Sequence, residues 1–236
     1  MLSLMFLGFL IGVAHAFEAD HLAAVSALVS GERGIGRIAR QGAMWGLGHT
    51  LTLLIVGGVV LALGRAIPDR TASGLELAVG VMLVGLGAHL LFRVYRDRVH
   101  VHRHRHADGT AHFHLHSHKN DAGAHNPNRH RHAHPDGAAL RSLAVGVMHG
   151  LAGSAALILV TASTLNSVAA GIGYILLFGL GSILGMASIS AVIALPLSYT
   201  ARYLTKANLA LQLMIGCLTT GIGIWTIAHM SGQVFG

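Results

Sequence analysis

Long apolar segments separated by polar stretches dominate the chain. Six of them cover residues 2–28, 41–63, 73–95, 140–161, 171–198 and 207–230. Each contains about 20 residues or more, the length that a helix needs to cross roughly 30 Å of hydrocarbon. The pattern therefore predicts an all-α integral membrane protein with six transmembrane helices.

Composition agrees with this prediction and indicates the environment in which the protein lies. Only 11% of the 236 residues are charged and the mean hydropathy is +0.62, whereas a soluble domain carries about 25% charged residues. The Lys and Arg residues behind the net charge of +7 flank the apolar segments, as topology-determining residues do. We therefore expect a lipid bilayer, the cell membrane, as the surroundings and no nucleic-acid partner.

The two halves of the chain resemble each other. Residues 12–16 (GVAHA) match 146–150 (GVMHG), residues 46–49 (GLGH) match 179–182 (GLGS), and Gly80, Gly85 and Gly87 match Gly216, Gly221 and Gly223. Three spans in each half make the second half run opposite to the first. The sequence thus predicts a 3+3 inverted repeat of residues 1–95 and 140–236, the plan of many secondary transporters.

Between the repeats, residues 96–139 form a loop with twelve of the eighteen histidines. Eight alternate along the chain: His100, His102, His104, His106, His112, His114, His116 and His118. In two strands joined by a three- or five-residue loop, His106 would pair with His112 and all eight would share one face. A two-residue Asp-Gly turn would put the two runs on opposite faces. The loop could instead be a disordered tract. In either case, we expect it to collect metal or regulate transport.

Basic residues orient the predicted spans. One side carries Arg33, Arg37, Arg40, Arg202 and Lys206 outside the His-rich loop, and the other carries Arg65 and Arg70. By the positive-inside rule, both termini should face outward and the His-rich loop should be cytoplasmic.

Four ionisable residues interrupt the first apolar segment within seven positions: His15, Glu18, Asp20 and His21. Such groups at membrane depth cost several kcal/mol each, so they mark a functional site. Imidazole and carboxylate together suit a divalent transition metal better than calcium or magnesium. The sequence therefore predicts a metal site in the first span.

A straight helix cannot aim all of these side chains at one ion. At about 100° per residue, Asp20 lies about 140° from His15, and His21 about 120° on the other side. Either the helix breaks between His15 and His21, or only some of the three are ligands. We expect Glu18 to accept a hydrogen bond from an imidazole and fix its tautomer, ahead of acting as a ligand or proton carrier. His149, which the repeat sets opposite His15, is either a ligand or a hydrogen-bonded packing residue.

His15-x4-Asp20-His21, followed by Leu47-Gly48-His49-Thr50, resembles the two signatures of the nickel/cobalt transporter superfamily, which includes urease-accessory-type permeases. The resemblance implies a permease for Ni²⁺ or Co²⁺ and not an enzyme, with the metal as substrate and no prosthetic group. It implies that His15, Asp20, His21 and His49 handle the metal. A cytoplasmic metallochaperone is a candidate partner.

Two alternatives and one departure from the family pattern accompany this interpretation. The His-rich loop resembles that of the nickel/cobalt efflux branch, but those exporters tend to lack the Asp of the first motif, so Asp20 favours uptake. Many members carry an acidic motif where this chain has residues 149–154 (HGLAGS), which leaves the second-half ligands and the choice of metal open. An intramembrane metal-dependent hydrolase could use His15, Glu18, Asp20 and His21, although the chain has no H-E-x-x-H motif.

Overall fold

Helices account for most of the chain. The computed structural model describes residues 2–30, 34–64, 68–96, 100–105, 111–116, 136–150, 165 and 167–235. Its elements are α1 (Leu2–His15), α2 (Ala19–Val29), α3 (Ile35–Leu63), α4 (Asp69–Arg96), β1 (His100–Arg105), β2 (Ala111–His116), α5 (Asp136–His149), α6 (Val168–Tyr203) and α7 (Thr205–Phe235). The predicted all-α class is therefore correct for the apolar segments, while the His-rich loop contributes the two strands.

Four described helices are long and apolar enough to cross a membrane: α3, α4, α6 and α7. The pair α1 and α2 passes the same test together, with a bend of 55° between its two helices. The chain is thus a multi-pass membrane protein. The predicted fourth span at 140–161 continues past α5 into residues 151–164, which lie outside the described residues.

The first span is broken where the sequence predicted. Helix α1 ends in a tight turn in which the amides of Phe17 and Glu18 donate to the carbonyls of Ala14 and His15, at 2.9 and 3.1 Å. Glu18 then adopts an extended backbone conformation before α2 begins. The two helices have 14 and 11 residues, or about 21 and 16 Å at 1.5 Å per residue. The break therefore lies near the middle of the span.

Helix packing divides the first span between two groups of helices. Helix α1 lies along α6, and α3 lies along both α5 and α6. Helix α2 instead packs against α7 and α4, which form an extensive pair with each other. Thr219 in α7 fixes this arrangement by donating to the carbonyl of Ala23 at 3.2 Å, as does Arg93 in α4, which donates to the carbonyl of Ser30.

Glycines at the helix contacts of one half have counterparts at the corresponding contacts of the other half. A Cβ at Gly12 would fall on the carbonyl of Phe178, and one at Gly146 would fall on the carbonyl of Trp45. Small residues at such points let helix backbones approach closely. Because Gly146 follows Gly12 by 134 positions and Phe178 follows Trp45 by 133, the α1–α6 contact repeats the α5–α3 contact.

The same reciprocity holds between α4 and α7. A Cβ at Gly87 would meet the backbone of Thr220 and Gly216, and one at Gly223 would meet that of Val84 and Gly80. Across α3 and α6, Gly46 contacts Ile183 and Gly179 contacts Thr50. In this last pair, residue numbers rise along one helix as they fall along the other, so α3 and α6 run antiparallel.

Strands β1 and β2 pair antiparallel in the His-rich loop. The register sets His100 opposite His116, His102 opposite His114, and His104 opposite His112. Residues directly opposite in an antiparallel pair share one face of the sheet, so these six positions share a face. This register differs from the first of the two hairpin alternatives, in which His106 would pair with His112, because His112 pairs with His104 instead. His106 and His118 lie outside the described residues.

Candidate metal centre

Four buried histidines meet where the first span breaks. His15 is the last residue of α1, His21 follows in the first turn of α2, and His149 is the last residue of α5. His49 lies at the midpoint of the 29-residue helix α3. Each of the four has at most 4% of its surface exposed. The cluster therefore lies near the middle of the first span and of α3.

Three of these imidazoles form a compact set. One ring nitrogen from each of His15, His21 and His49 lies within 4.8 Å of the other two. The Nε2 atoms of His15 and His49 are 3.1 Å apart. At a metal–nitrogen distance of about 2.1 Å, two nitrogens at that separation subtend about 95° at an ion. The set therefore has the spacing of two or three ligands of one transition-metal ion.

Glu18 orients the first imidazole. The Nδ1 of His15 donates to Glu18 Oε1 at 2.8 Å. Because a neutral imidazole carries one ring proton, this contact leaves the lone pair on Nε2, the nitrogen that faces His49. Carboxylates hold metal-binding histidines in this way in many sites. Glu18 is thus the hydrogen-bond partner of the His15 ring.

Asp20 joins the two halves of the chain. Its Oδ1 accepts from His21 Nδ1 at 2.9 Å and from the His21 amide at 2.8 Å. Its Oδ2 accepts from His149 Nε2 at 2.9 Å. A nitrogen or oxygen from each of Asp20, His21 and His149 again lies within 4.8 Å of the other two, so these residues form a second three-donor set.

Several ring nitrogens in the cluster have no protein partner. Among the described residues, His21 Nε2, His49 Nδ1 and His149 Nδ1 are buried without a hydrogen bond. An unsatisfied buried polar atom costs about 1–3 kcal/mol. Imidazole nitrogens are favoured ligands of nickel, copper and zinc, so a divalent ion as substrate matches the chemistry of these atoms.

The six residues singled out in the sequence are thus brought together: His15, Glu18, Asp20, His21, His49 and His149. Ser182 occupies the position in the second repeat that corresponds to His49, and its hydroxyl donates to the Gly12 carbonyl at 3.2 Å. Two further histidines in the spans, His89 and His229, lie at exposed positions and His229 stacks on Trp225.

Sequence reasoning missed two aromatic residues beside the imidazoles. Trp45 is fully buried and its ring lies 5.3 Å from that of His21 and 5.6 Å from that of His149. Phe178 lies 5.2 Å from His15. Both could have been found from the sequence, because each is the aromatic residue directly before G-L-G in its repeat. Trp45 and Phe178 therefore cover corresponding histidines, His149 and His15, from corresponding positions.

Comparisons with known proteins agree with this site. The NicO family, described as high-affinity nickel-transport protein, matches residues 1–228. The urease accessory protein UreH of Bacillus sp. (strain TB-90) is 34% identical over 224 residues, which cover 95% of this chain and 90% of that relative. No solved structure matches the chain significantly. The chain belongs to the NicO family of high-affinity nickel-transport proteins, and it is a nickel/cobalt permease.

Proposed function

We propose that this permease takes up Ni²⁺ or Co²⁺ through the buried imidazoles of His15, His21 and His49. The observation that carries the proposal is that their ring nitrogens converge within 4.8 Å at the break in the first span. Glu18 and Asp20 keep His15 Nε2 and His21 Nε2 free of protons by accepting from the other nitrogen of each ring. An ion arriving there meets lone pairs that are already oriented.

A 3+3 inverted repeat explains how such a site opens to both sides of the membrane. The reciprocal glycine contacts support it, because each contact of one half has a counterpart in the other. The antiparallel course of α3 and α6 also supports it, since repeats of three spans must run in opposite directions. Transporters of this plan bind substrate near the midplane, between the repeats. The Asp20–His149 contact joins the halves at that depth.

We propose that the protein takes metal up into the cell. We also propose that both termini lie outside and that the His-rich loop lies in the cytoplasm. Basic residues near the α2–α3 and α6–α7 connections support it, and Asp20 in the first motif supports uptake over efflux. The loop would then receive metal on the cytoplasmic side. The name of the Bacillus relative, a urease accessory protein, supports a cytoplasmic metallochaperone as the partner that accepts the metal.

An intramembrane hydrolase explains these observations less well. Such an enzyme needs an open coordination position for water and a general base. Glu18 and Asp20, the two acids beside the imidazoles, both accept hydrogen bonds from them. Their geometry supports positioning of the rings more than proton transfer to water, so we propose no enzymatic activity.

Transport by the purified protein tests the proposal. Reconstituted in vesicles with a trapped metal-sensitive dye, the wild type should admit Ni²⁺ or Co²⁺, and His21→Ala should admit neither above the level of empty vesicles. His89→Ala replaces an exposed histidine of α4 and should match the wild type. Vesicles with wild-type protein that admit no metal in either membrane orientation would refute the assignment.

A further inference from the structure

The donor atoms of the cluster fall into two three-membered sets that share one residue. His15, His21 and His49 form the first set, and Asp20, His21 and His149 form the second. The ring of His21 lies between them, with its centre 4.3 Å from that of His15 and 4.2 Å from that of His149. His21 is completely buried, whereas the Asp20 side chain of the second set is partly exposed.

His21 faces the two sets with different ring nitrogens. Its Nδ1 contacts Asp20, which belongs to the second set. Its Nε2 is buried and has no hydrogen-bond partner, which leaves it as the nitrogen available to the first set. A neutral imidazole has a single lone-pair nitrogen. His21 can therefore serve either set, but not both at once.

We propose that the two sets are successive binding stations for one transported ion, which passes between them by exchanging the ring nitrogen of His21. This inference rests on the proposed function and adds a second station, Asp20–His21–His149, to the path. As the ion moves from the first station to the second, the ring proton of His21 moves from Nδ1 to Nε2. The proton of His149 moves from Nε2 to Nδ1, so no net proton is released.

A single site that uses all five donors fits the geometry less well. Among the described residues, the five donors lie within 4.8 Å of one another only as two groups of three, not as one group of five. Glu18 holds His15 in the first set, while Asp20 binds His149 through one oxygen and His21 through the other. Glu18 thus fixes His15 in the first station, and Asp20 fixes His149 in the second.

The repeat gives the two stations a role in transport. His15 and His149 occupy corresponding positions in the two halves, and each is the terminal residue of its helix. Each also has a matching aromatic neighbour, Phe178 for His15 and Trp45 for His149. When one half moves against the other, the station built on His15 and the station built on His149 can open to opposite sides in turn.

Separate measurements of binding and transport test the two stations. Purified wild type should bind one Ni²⁺ by isothermal titration. His49→Ala and His149→Ala should each still bind one Ni²⁺ at the station that stays intact, at least one of them with an affinity close to that of the wild type, yet both should fail to transport it in vesicles. His21→Ala and the double variant His49→Ala/His149→Ala should bind none. Asp20→Asn should behave as His149→Ala does, and His89→Ala should match the wild type.

Other results would overturn the stations while leaving the permease intact. Wild-type transport by both His149→Ala and Asp20→Asn would remove the second station. Loss of all binding in folded His149→Ala, judged by an unchanged melting temperature, would show one undivided site. Two Ni²⁺ bound to the wild type would show two independent sites that do not share His21. A wild type that neither binds nor transports Ni²⁺ or Co²⁺ would instead refute the proposed function itself.

Discussion

His15 Nε2 and His49 Nε2 lie 3.1 Å apart although 34 residues separate them in the chain. Two ring nitrogens at this distance cannot both carry protons, because two N–H groups would then face each other. The pair can share one proton as a hydrogen bond or share one metal ion as two ligands. Protons and metal therefore compete for the same lone pairs.

This competition predicts weaker metal binding in acid. Ligating histidines must be neutral, so apparent Ni²⁺ affinity should fall as the pH decreases into the range where the imidazoles of the cluster take up protons, about tenfold per pH unit for each imidazole that protonates. Equilibrium dialysis with radioactive nickel between about pH 4 and 8 measures this. An affinity that stays constant across the range would contradict imidazole ligation.

Glu18 should affect how tightly the first set of ligands binds metal without itself contacting the metal. Glu18→Gln keeps an oxygen that can accept from His15 Nδ1, while Glu18→Ala removes it. Because such partners typically contribute tenfold to a hundredfold in metal affinity, binding should weaken from wild type to Glu18→Gln to Glu18→Ala. Asp69→Asn, an acid at the start of α4, is the control. Equal affinities for all four proteins would show that the contact has no role in binding.

The site residues could be found from the sequence because ionisable side chains stand out in an apolar segment. The helix break was predictable as well, since no straight helix could aim His15, Asp20 and His21 together. Which acid faces which imidazole was not predictable. That depends on the 55° bend and on how α5 meets α2 in space, and the bend brings Asp20 to His149, 129 residues away. Trp45 was missed because a buried aromatic residue in an apolar segment looks like ordinary packing.

The reciprocal glycine contacts predict matched losses of stability. A Cβ at Gly48 would strike the backbone of Leu143 and Val147, and one at Gly181 would strike that of Phe9 and Val13. Gly48→Ala and Gly181→Ala should each destabilise the protein by about 1–3 kcal/mol, the usual cost of overpacking. Thermal unfolding in detergent, followed by tryptophan fluorescence, measures both.

Gly58 provides the control on the same helix as Gly48. Nothing lies within 4 Å of a Cβ at Gly58. Gly58→Ala should therefore raise stability slightly, by up to about 1 kcal/mol, through helix propensity alone. If Gly48→Ala were as stable as Gly58→Ala, α3 and α5 would not approach each other as closely as described.

The His-rich loop should be dispensable for transport at saturating metal. Helices α4 and α5, which the loop joins, contact each other directly, and the four imidazoles of the centre lie on α1, α2, α3 and α5. Deletion of residues 100–134 should leave the maximal uptake rate in vesicles near that of the wild type and lower uptake only when metal is scarce. Complete loss of uptake at saturating metal would make the loop part of the pathway.

The orientation of the protein can be tested with single cysteines. Cys217 is exposed, so it is first replaced by alanine. Gly36 near the start of α3 and Leu204 between α6 and α7 are exposed, and they lie at the same end of the antiparallel helices α3 and α6. Asp69 at the start of α4 is also exposed, beyond the other end of α3.

Positively charged residues near Gly36 and Leu204 predict that this end is cytoplasmic. In intact cells, Gly36→Cys and Leu204→Cys should escape an impermeant thiol reagent and react only after the cells are permeabilised. Asp69→Cys should react in both conditions. Labelling of the first two in intact cells, with Asp69→Cys protected, would reverse the orientation and with it the side from which the ion reaches His15.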